Sequence, residues 1–205
     1  MKNLFFIFSI TLLISVLMQC GKEIKTHFYI PEKLELTNEY FIGQSISDIK
    51  KNSTINYDEY CNCYYYLADS AKLFKSIYFN SYSQDKSGEV SSIQFNFDKG
   101  NGYTNAIIAE NLIDKLINVF GMNYRIFDVP TLSKNFPTKP RIVWVTNDSV
   151  YVSILFMPKI LVTNLYAEQK FVMHSVQLEF SIKPVFDFEN NTESEEWTRD
   201  RLCLK

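Results

Sequence analysis

The chain contains four cysteines and two histidines, and their spacing narrows the chemistry open to it. Cys20 closes an uncharged run from Leu4 to Met18, so its thiol stands at the border of an apolar segment. Cys61 and Cys63 are two residues apart. In an extended strand both thiols would point to one face with parallel Cβ directions, a poor geometry for closing on each other. A bridge from Cys61 or Cys63 to Cys203 is easier and would staple the C-terminus onto the sheet; three unpaired thiols are the plainer reading. With no nearby histidine or third cysteine, the pair lacks the ligands of a zinc site. His27 falls in a tether. His174 falls on the strand face shared by Val172, Val176, Leu178 and Phe180, where packing is its expected role. No metal site and no cofactor are expected.

Other candidate constellations weaken when their spacing is considered. No HExxH, GxSxG or P-loop pattern occurs, so zinc-protease, esterase and NTPase chemistry lack support. Backbone amides in Asp98-Lys99-Gly100-Asn101-Gly102 precede a helix and could cradle an anion. No Lys-Ser/Thr follows them, and a flexible connection is the simpler reading. Asp187, Glu189, Glu193, Glu195 and Glu196 lack the ordered spacing and central glycine of a calcium loop, so they read as a solvated cluster. Tyr57, Tyr60, Tyr64 and Tyr66 could line a sugar or lipid groove. Alternation on a half-buried sheet face explains them more cheaply.

The N-terminus has the layout of an export signal that ends at a cysteine. Lys2 supplies a minimal basic region, the apolar run is short of the roughly 20 residues a spanning helix needs, and Leu17-Met18-Gln19-Cys20-Gly21-Lys22 follows. This stretch resembles the relaxed lipoboxes of Bacteroidota or spirochaete lipoproteins, with Gln19 where proteobacterial lipoboxes prefer Gly or Ala. The resemblance implies a signal peptide over 1–19, diacylated Cys20, a short tether over 20–27 and one domain over 28–205. It also implies membrane attachment through lipid in the cell envelope, at the outer membrane, with the face undetermined. Two or more acyl chains anchor stably without any spanning helix. Asp69-Ser70-Ala71 and Asp148-Ser149-Val150 are similar to the Asp-Ser/Thr-apolar sequon of O-glycosylation in Bacteroidota, which makes Ser70 and Ser149 candidate glycan acceptors, although an ordinary hairpin turn accounts better for the second.

The elements that position these residues follow from periodicity and capping. Phe28 to Leu36 reads as a short strand interrupted at Pro31. Ser45 and Asp48, spaced like a capping box, open a short helix ahead of Ile49 and the lysines Lys50 and Lys51. Tyr60 to Leu67, Leu73 to Tyr82 and Val90 to Phe97 read as strands, with a loop over Ser83 to Glu89. A long helix follows, capped by Thr104 or Asn105, with Ile108, Leu112, Ile113, Leu116, Ile117 and Phe120 on one stripe and Gly121 as its stop. After a proline-punctuated loop from Val129 to Pro140, a hairpin pairs Arg141 to Val145 with Val150 to Phe156. A strand over Phe171 to Ile182 comes last. Thr192 then begins a terminal helix carrying Glu193, Glu195, Glu196, Arg199 and Arg201, anchored by Trp197.

The fold class expected is α+β, a mostly antiparallel sheet with helices packed on one face. A helix followed by about three strands occurs twice, which admits a duplicated α-β-β-β unit. The opening Ile42-Gly43-Gln44-Ser45-Ile46-Ser47-Asp48-Ile49 resembles the IGxSxxxV start of small outer-membrane lipoproteins of the BamE/SmpA type. It is also similar to beta-lactamase-inhibitor-like domains built from such units. The chain departs from the BamE pattern in having strands, not a second helix, after the first helix. The resemblance implies a non-catalytic assembly or binding role.

Composition bounds the size of the domain and the class of its partners. Cleavage before Cys20 would leave about 186 residues, enough for one domain with a real core. The formal charge of −2 would become −3 with the loss of Lys2, which argues against nucleic acid as a partner. The function expected is therefore a membrane-anchored lipoprotein whose domain binds a protein partner, as an assembly accessory or immunity protein. A receptor for a small ligand, glycan or lipid, or an enzyme with an unfamiliar site, is the alternative.

Overall fold

Strict alternation of Ile93, Phe95 and Phe97 with Gln94 and Asn96 gives one apolar and one polar face, and the sheet is assembled on that pattern. The computed structural model describes residues 27–52, 54–81, 88–100, 102–130, 138–161 and 170–183. Among these residues, ten strands and two α-helices follow one another. β1 (Phe28–Tyr29) pairs with β2 (Phe41–Ile42), with a 3-10 turn over Glu32–Leu34 between them. Next come α1 (Ile46–Ile49), β3 (Ile55–Asp58), β4 (Cys63–Leu67), β5 (Ser76–Asn80) and β6 (Ser92–Phe97). α2 (Gly102–Phe120) leads to β7 (Tyr124–Pro130), β8 (Thr138–Val145), β9 (Tyr151–Leu161) and β10 (Lys170–Ser181).

The sheet is eight-stranded, in the order β3-β4-β5-β6-β10-β9-β8-β7, and antiparallel at every pairing. Two hairpin-linked runs of four strands thus meet at their last members, β6 and β10. Phe95 lies opposite Leu178, and Ile93 opposite Phe180. One apolar cluster joins this face to both helices: Ile46 and Ile49 of α1, Ile108, Leu112 and Leu116 of α2, and Phe79, Phe95, Ile154, Phe156 and Leu178 of the sheet. The fold is a sheet-dominated α+β arrangement. Each fully buried phenylalanine in that cluster contributes about 1.5–3 kcal/mol.

Local signals set the helix ends. Ser45 Oγ accepts the Ser47 amide at 3.2 Å, which caps α1. Asp48 does not close a capping box; it pairs with Lys51 at 2.6 Å. Gly121, at φ 81°, ends α2, and its carbonyl accepts the indole N–H of buried Trp144 at 3.0 Å. The segment around α1 is tied to the sheet margin by Gly43 N–H to Val90 O and Val90 N–H to Gln44 O, both 2.8 Å.

The structure differs from the sequence reading at several elements. Four strands follow each helix where the sequence predicts three; β3 and β7 are the additions. Phe28 to Leu36 is a two-residue strand and a 3-10 turn, with Glu35 at φ 55° ending the turn. The helix expected to begin at Thr104 or Asn105 already begins at Gly102. His174 is the clearest correction. A β-bulge between Met173 and Ser175 inserts one residue and shifts the phase of β10. Met173 takes the core side and His174 is exposed. The terminal helix from Thr192, Trp197, the acidic cluster from Asp187 to Glu196 and most of the Ser83 to Glu89 loop lie outside the described residues.

Candidate functional site

The tip between β3 and β4 is built by residues that resist extension. Tyr57 pairs with Tyr64, and Asp58 with Cys63, so Glu59, Tyr60, Cys61 and Asn62 form the connection. Asn62 sits at φ 51°, a left-handed conformation that Asn tolerates better than most residues. Asp58 Oδ1 accepts the Tyr60 amide at 2.9 Å, and the Tyr57 hydroxyl donates to Asn62 Oδ1. A disulfide joins Cys61 to Cys63, whose Cα atoms are 5.2 Å apart.

This pairing corrects the expected bridge from Cys61 or Cys63 to Cys203, since neither sulfur is left for it. The expectation assumed one strand running through both cysteines. The turn at Asn62 breaks that strand, so Cys61 belongs to the connection and Cys63 opens β4. Cys203 lies outside the described residues.

The tip holds Tyr60 fully in solvent, while its base is packed. The Tyr57 and Tyr64 rings lie 5.0 Å apart, and Lys50 Nζ stands 4.7 Å from the Tyr64 centroid. The tip carries two acidic residues, Asp58 and Glu59, and the Lys50 ammonium lies at its base. The tyrosines singled out by sequence therefore divide. Tyr60 projects, Tyr57 braces the tip through Asn62, and Tyr64 and Tyr66 pack against the core.

The sheet face away from the helices carries a polar network. Gln94 Nε2 donates to Asn96 Oδ1 at 2.8 Å, Asn96 Nδ2 to Ser76 Oγ at 3.2 Å, and Asn80 Nδ2 to Ser92 Oγ at 3.0 Å. Ser92 also hydrogen-bonds the Glu179 carboxylate. Burial pushes Glu179 above the usual carboxylate range, against the attraction of Arg141. Arg141, on the same face across β9, is held below its ordinary value by burial. Desolvation thus outweighs mutual attraction for both members of this pair. Tyr65 and Tyr78 stack on this face with ring centroids 5.7 Å apart. Phe127 and Val143 form a small second cluster there. Sequence reading missed this network because Ser, Asn and Gln at alternate positions of a strand look like an ordinary solvated edge.

The remaining candidates are scattered. Ser70 is exposed in a turn where the Asp69 carboxylate accepts the Ala71 amide at 3.1 Å. Ser149 is exposed at φ 59° in the turn between β8 and β9. His27 packs its ring 5.7 Å from Phe41. The Asp98–Gly100 turn is closed on itself, with Asp98 Oδ1 accepting the Gly100 amide at 2.8 Å and Asp98 Oδ2 paired with Lys75 at 3.2 Å. Those contacts, the amide first, hold the Asp98 carboxyl below its ordinary value. A groove of about 480 Å³ beside α2 is lined by Leu73, Leu112, Asn111 and the Lys115–Glu35 ion pair. Among the described residues no group of three or more His, Cys, Asp or Glu gathers into a metal site. Among the same residues no helix is long and apolar enough to cross a membrane.

The fold defines a class, an antiparallel α+β domain with an eight-stranded sheet. Compared with known proteins, the chain matches no family model, no curated protein and no solved structure.

Proposed function

We propose that this chain is a lipid-anchored protein of the cell envelope, held at the outer membrane through Cys20, whose domain binds a protein partner without catalysing a reaction. An assembly accessory and an immunity-type protein both fall within this reading. The observation that carries it is the β3–β4 tip. A fully exposed tyrosine is presented by a connection braced through a disulfide and two side-chain hydrogen bonds. Tyrosine supplies large contact area with only two side-chain torsions to freeze, and a braced connection has little backbone freedom left to lose on binding. The partner that fits is a protein with an apolar slot for the ring and a basic rim facing Asp58 and Glu59.

Strand order supports reading the two halves as copies of one unit, α-β-β-β-β in place of the three-strand version. Exchanging β3 to β6 with β7 to β10 leaves the order unchanged. The second functional reading is a receptor for a glycan or other small ligand. The Tyr65–Tyr78 stack beside Gln94 and Asn96 favours it, since flat rings next to amide groups suit sugar faces and hydroxyls.

A photo-crosslinking amino acid at position 60 of the full chain, expressed in its own cells, tests the proposal. One protein crosslinked at 60 and not at exposed Val145, whose purified form loses about tenfold or more in affinity for Tyr60→Ala, supports it. Abundant envelope proteins alone at both positions would refute it and turn the search to glycans. Cys20→Ala separately tests the anchor, and the expected product is unprocessed precursor. Processed, unlipidated protein in the soluble fraction would remove the lipid from the account.

A further inference from the structure

Cys61 and Cys63 close a ring over a single intervening residue, Asn62. A cross-link over so short a stretch withdraws far less chain entropy from the unfolded state than one closing a long loop. Global stability is therefore a weak reason for this bond to exist. Its two sulfurs also differ in access: Cys61 is exposed in the connection, whereas Cys63 is 1% exposed at the start of β4. An exposed sulfur bonded to a buried one directs an incoming thiolate to one end, and exposed disulfides are generally the labile ones.

We propose that the Cys61–Cys63 pair is a thiol–disulfide exchange site, with Cys61 the sulfur that an external thiolate attacks. The attack forms a mixed disulfide on Cys61 and breaks the Cys61–Cys63 bond, and its electron pair leaves on Cys63 Sγ, which takes up a proton. A second external thiolate then attacks the external sulfur of the mixed disulfide. It releases an external disulfide and leaves Cys61 as a thiolate that is protonated. Two electrons pass from two external thiols to the pair, and the reverse sequence oxidises a client dithiol. The ligand class is a thiol, either a small molecule such as glutathione or a protein dithiol. Reduction opens the ring, and Asp58–Tyr60 and Tyr57–Asn62 then hold the tip alone. The exchange does not rest on a partner binding Tyr60; only its consequence for binding does.

The test uses the full chain in detergent, folded, with differential alkylation and peptide mass spectrometry so that the 61–63 peptide is read apart from Cys203. The pair should gain two alkyl groups after equilibration in millimolar reduced glutathione and close again in oxidised glutathione. Response to glutathione assigns small thiols as competent. Response only to a reduced CxxC protein, thioredoxin for instance, assigns protein dithiols. In oxidised glutathione, Cys63→Ser should form its adduct on Cys61 about tenfold faster than Cys61→Ser forms one on Cys63. A pair that yields only after unfolding is a structural staple, and the proposal falls. It falls equally if the pair stays reduced in oxidised glutathione. Equal rates in the two variants would overturn the assignment to Cys61. None of these outcomes bears on whether a protein binds at Tyr60.

Discussion

Removing the Asn105 carboxamide should loosen the long helix from the centre of the sheet. Asn105 is 1% exposed in the first turns of α2. Its Oδ1 accepts the Lys99 amide at 2.9 Å, and its Nδ2 donates to Met173 O at 3.3 Å and to His174 O. The two carbonyls belong to the bulge in β10, where the ladder leaves backbone groups in need of other partners. Asn105→Ala strands one amide and two carbonyls. A buried polar group without its partner costs about 1–3 kcal/mol. The Met173 contact is long and the Lys99 loop is partly solvated, so the low end applies and the total is about 3 kcal/mol. Asn105→Asp keeps the acceptor but turns a carboxylate oxygen toward two carbonyls. It should be worse than Ala at neutral pH and recover in acid, where the protonated oxygen donates again. Urea unfolding followed by far-UV circular dichroism at pH 7 and pH 4 measures both effects. An Ala variant within about 0.5 kcal/mol of the parent, the range of surface changes, would refute the reasoning. So would an Asp variant indifferent to pH.

Two further outcomes follow from buried and partly buried charge. Replacing Arg141 and Glu179 together, as Arg141→Met with Glu179→Leu, should leave stability unchanged or raised, while either single change should cost about 3–5 kcal/mol; a double-mutant cycle in urea shows this, and additive single effects would contradict it. On acid titration the two shifted carboxylates act oppositely. Asp98, held below its reference value of 3.8, stabilises the fold above that value and loses its contribution as pH falls through its folded value. Asp98→Asn should therefore be less stable than the parent at pH 7, and the gap should close below about pH 4. Glu179, pushed above its reference value of 4.5, favours the fold most when protonated, and that advantage disappears as pH rises through its folded value. A parent-minus-Asp98→Asn difference that grows in acid would contradict the sign for Asp98.

The elements legible in the sequence are those where one physical signal acts without competition. Ile93, Phe95 and Phe97 alternate cleanly, and β6 forms where the alternation runs. The stripe Ile108, Leu112 and Leu116 and the stop at Gly121 locate the body and end of α2. β3 was illegible because Ile55, Asn56, Tyr57 and Asp58 carry little apolar alternation, and pairing with β4 forms the strand. β7 was obscured by Pro130 and the prolines that follow, although Tyr124 and Ile126 both pack against the core. At the candidate site, the tyrosine run was visible but not the division of labour within it. A left-handed Asn62 and the short disulfide decide which ring projects, and neither can be read from spacing alone. The bulge that turns His174 outward was equally hidden, because an inserted residue preserves composition while reversing the phase.

The mirrored strand order has a consequence for how the chain comes to be folded. The partners at the centre of the sheet, β6 and β10, are among the most distant in sequence, with Phe97 opposite Val176. Synthesis produces β3 to β6 and α2 long before the strand that must lie against them. Until β10 emerges, the inner edge of β6 offers unpaired amides and carbonyls, and so does that of β9. An open edge of that kind is a template for pairing with another chain. β10, the last strand among the described residues, is thus the one that closes both exposed edges at once, and a chain truncated before Lys170 leaves both open. Long-range pairing of this sort also folds slowly. The interval before β10 docks is therefore when this protein most needs protection from its own copies.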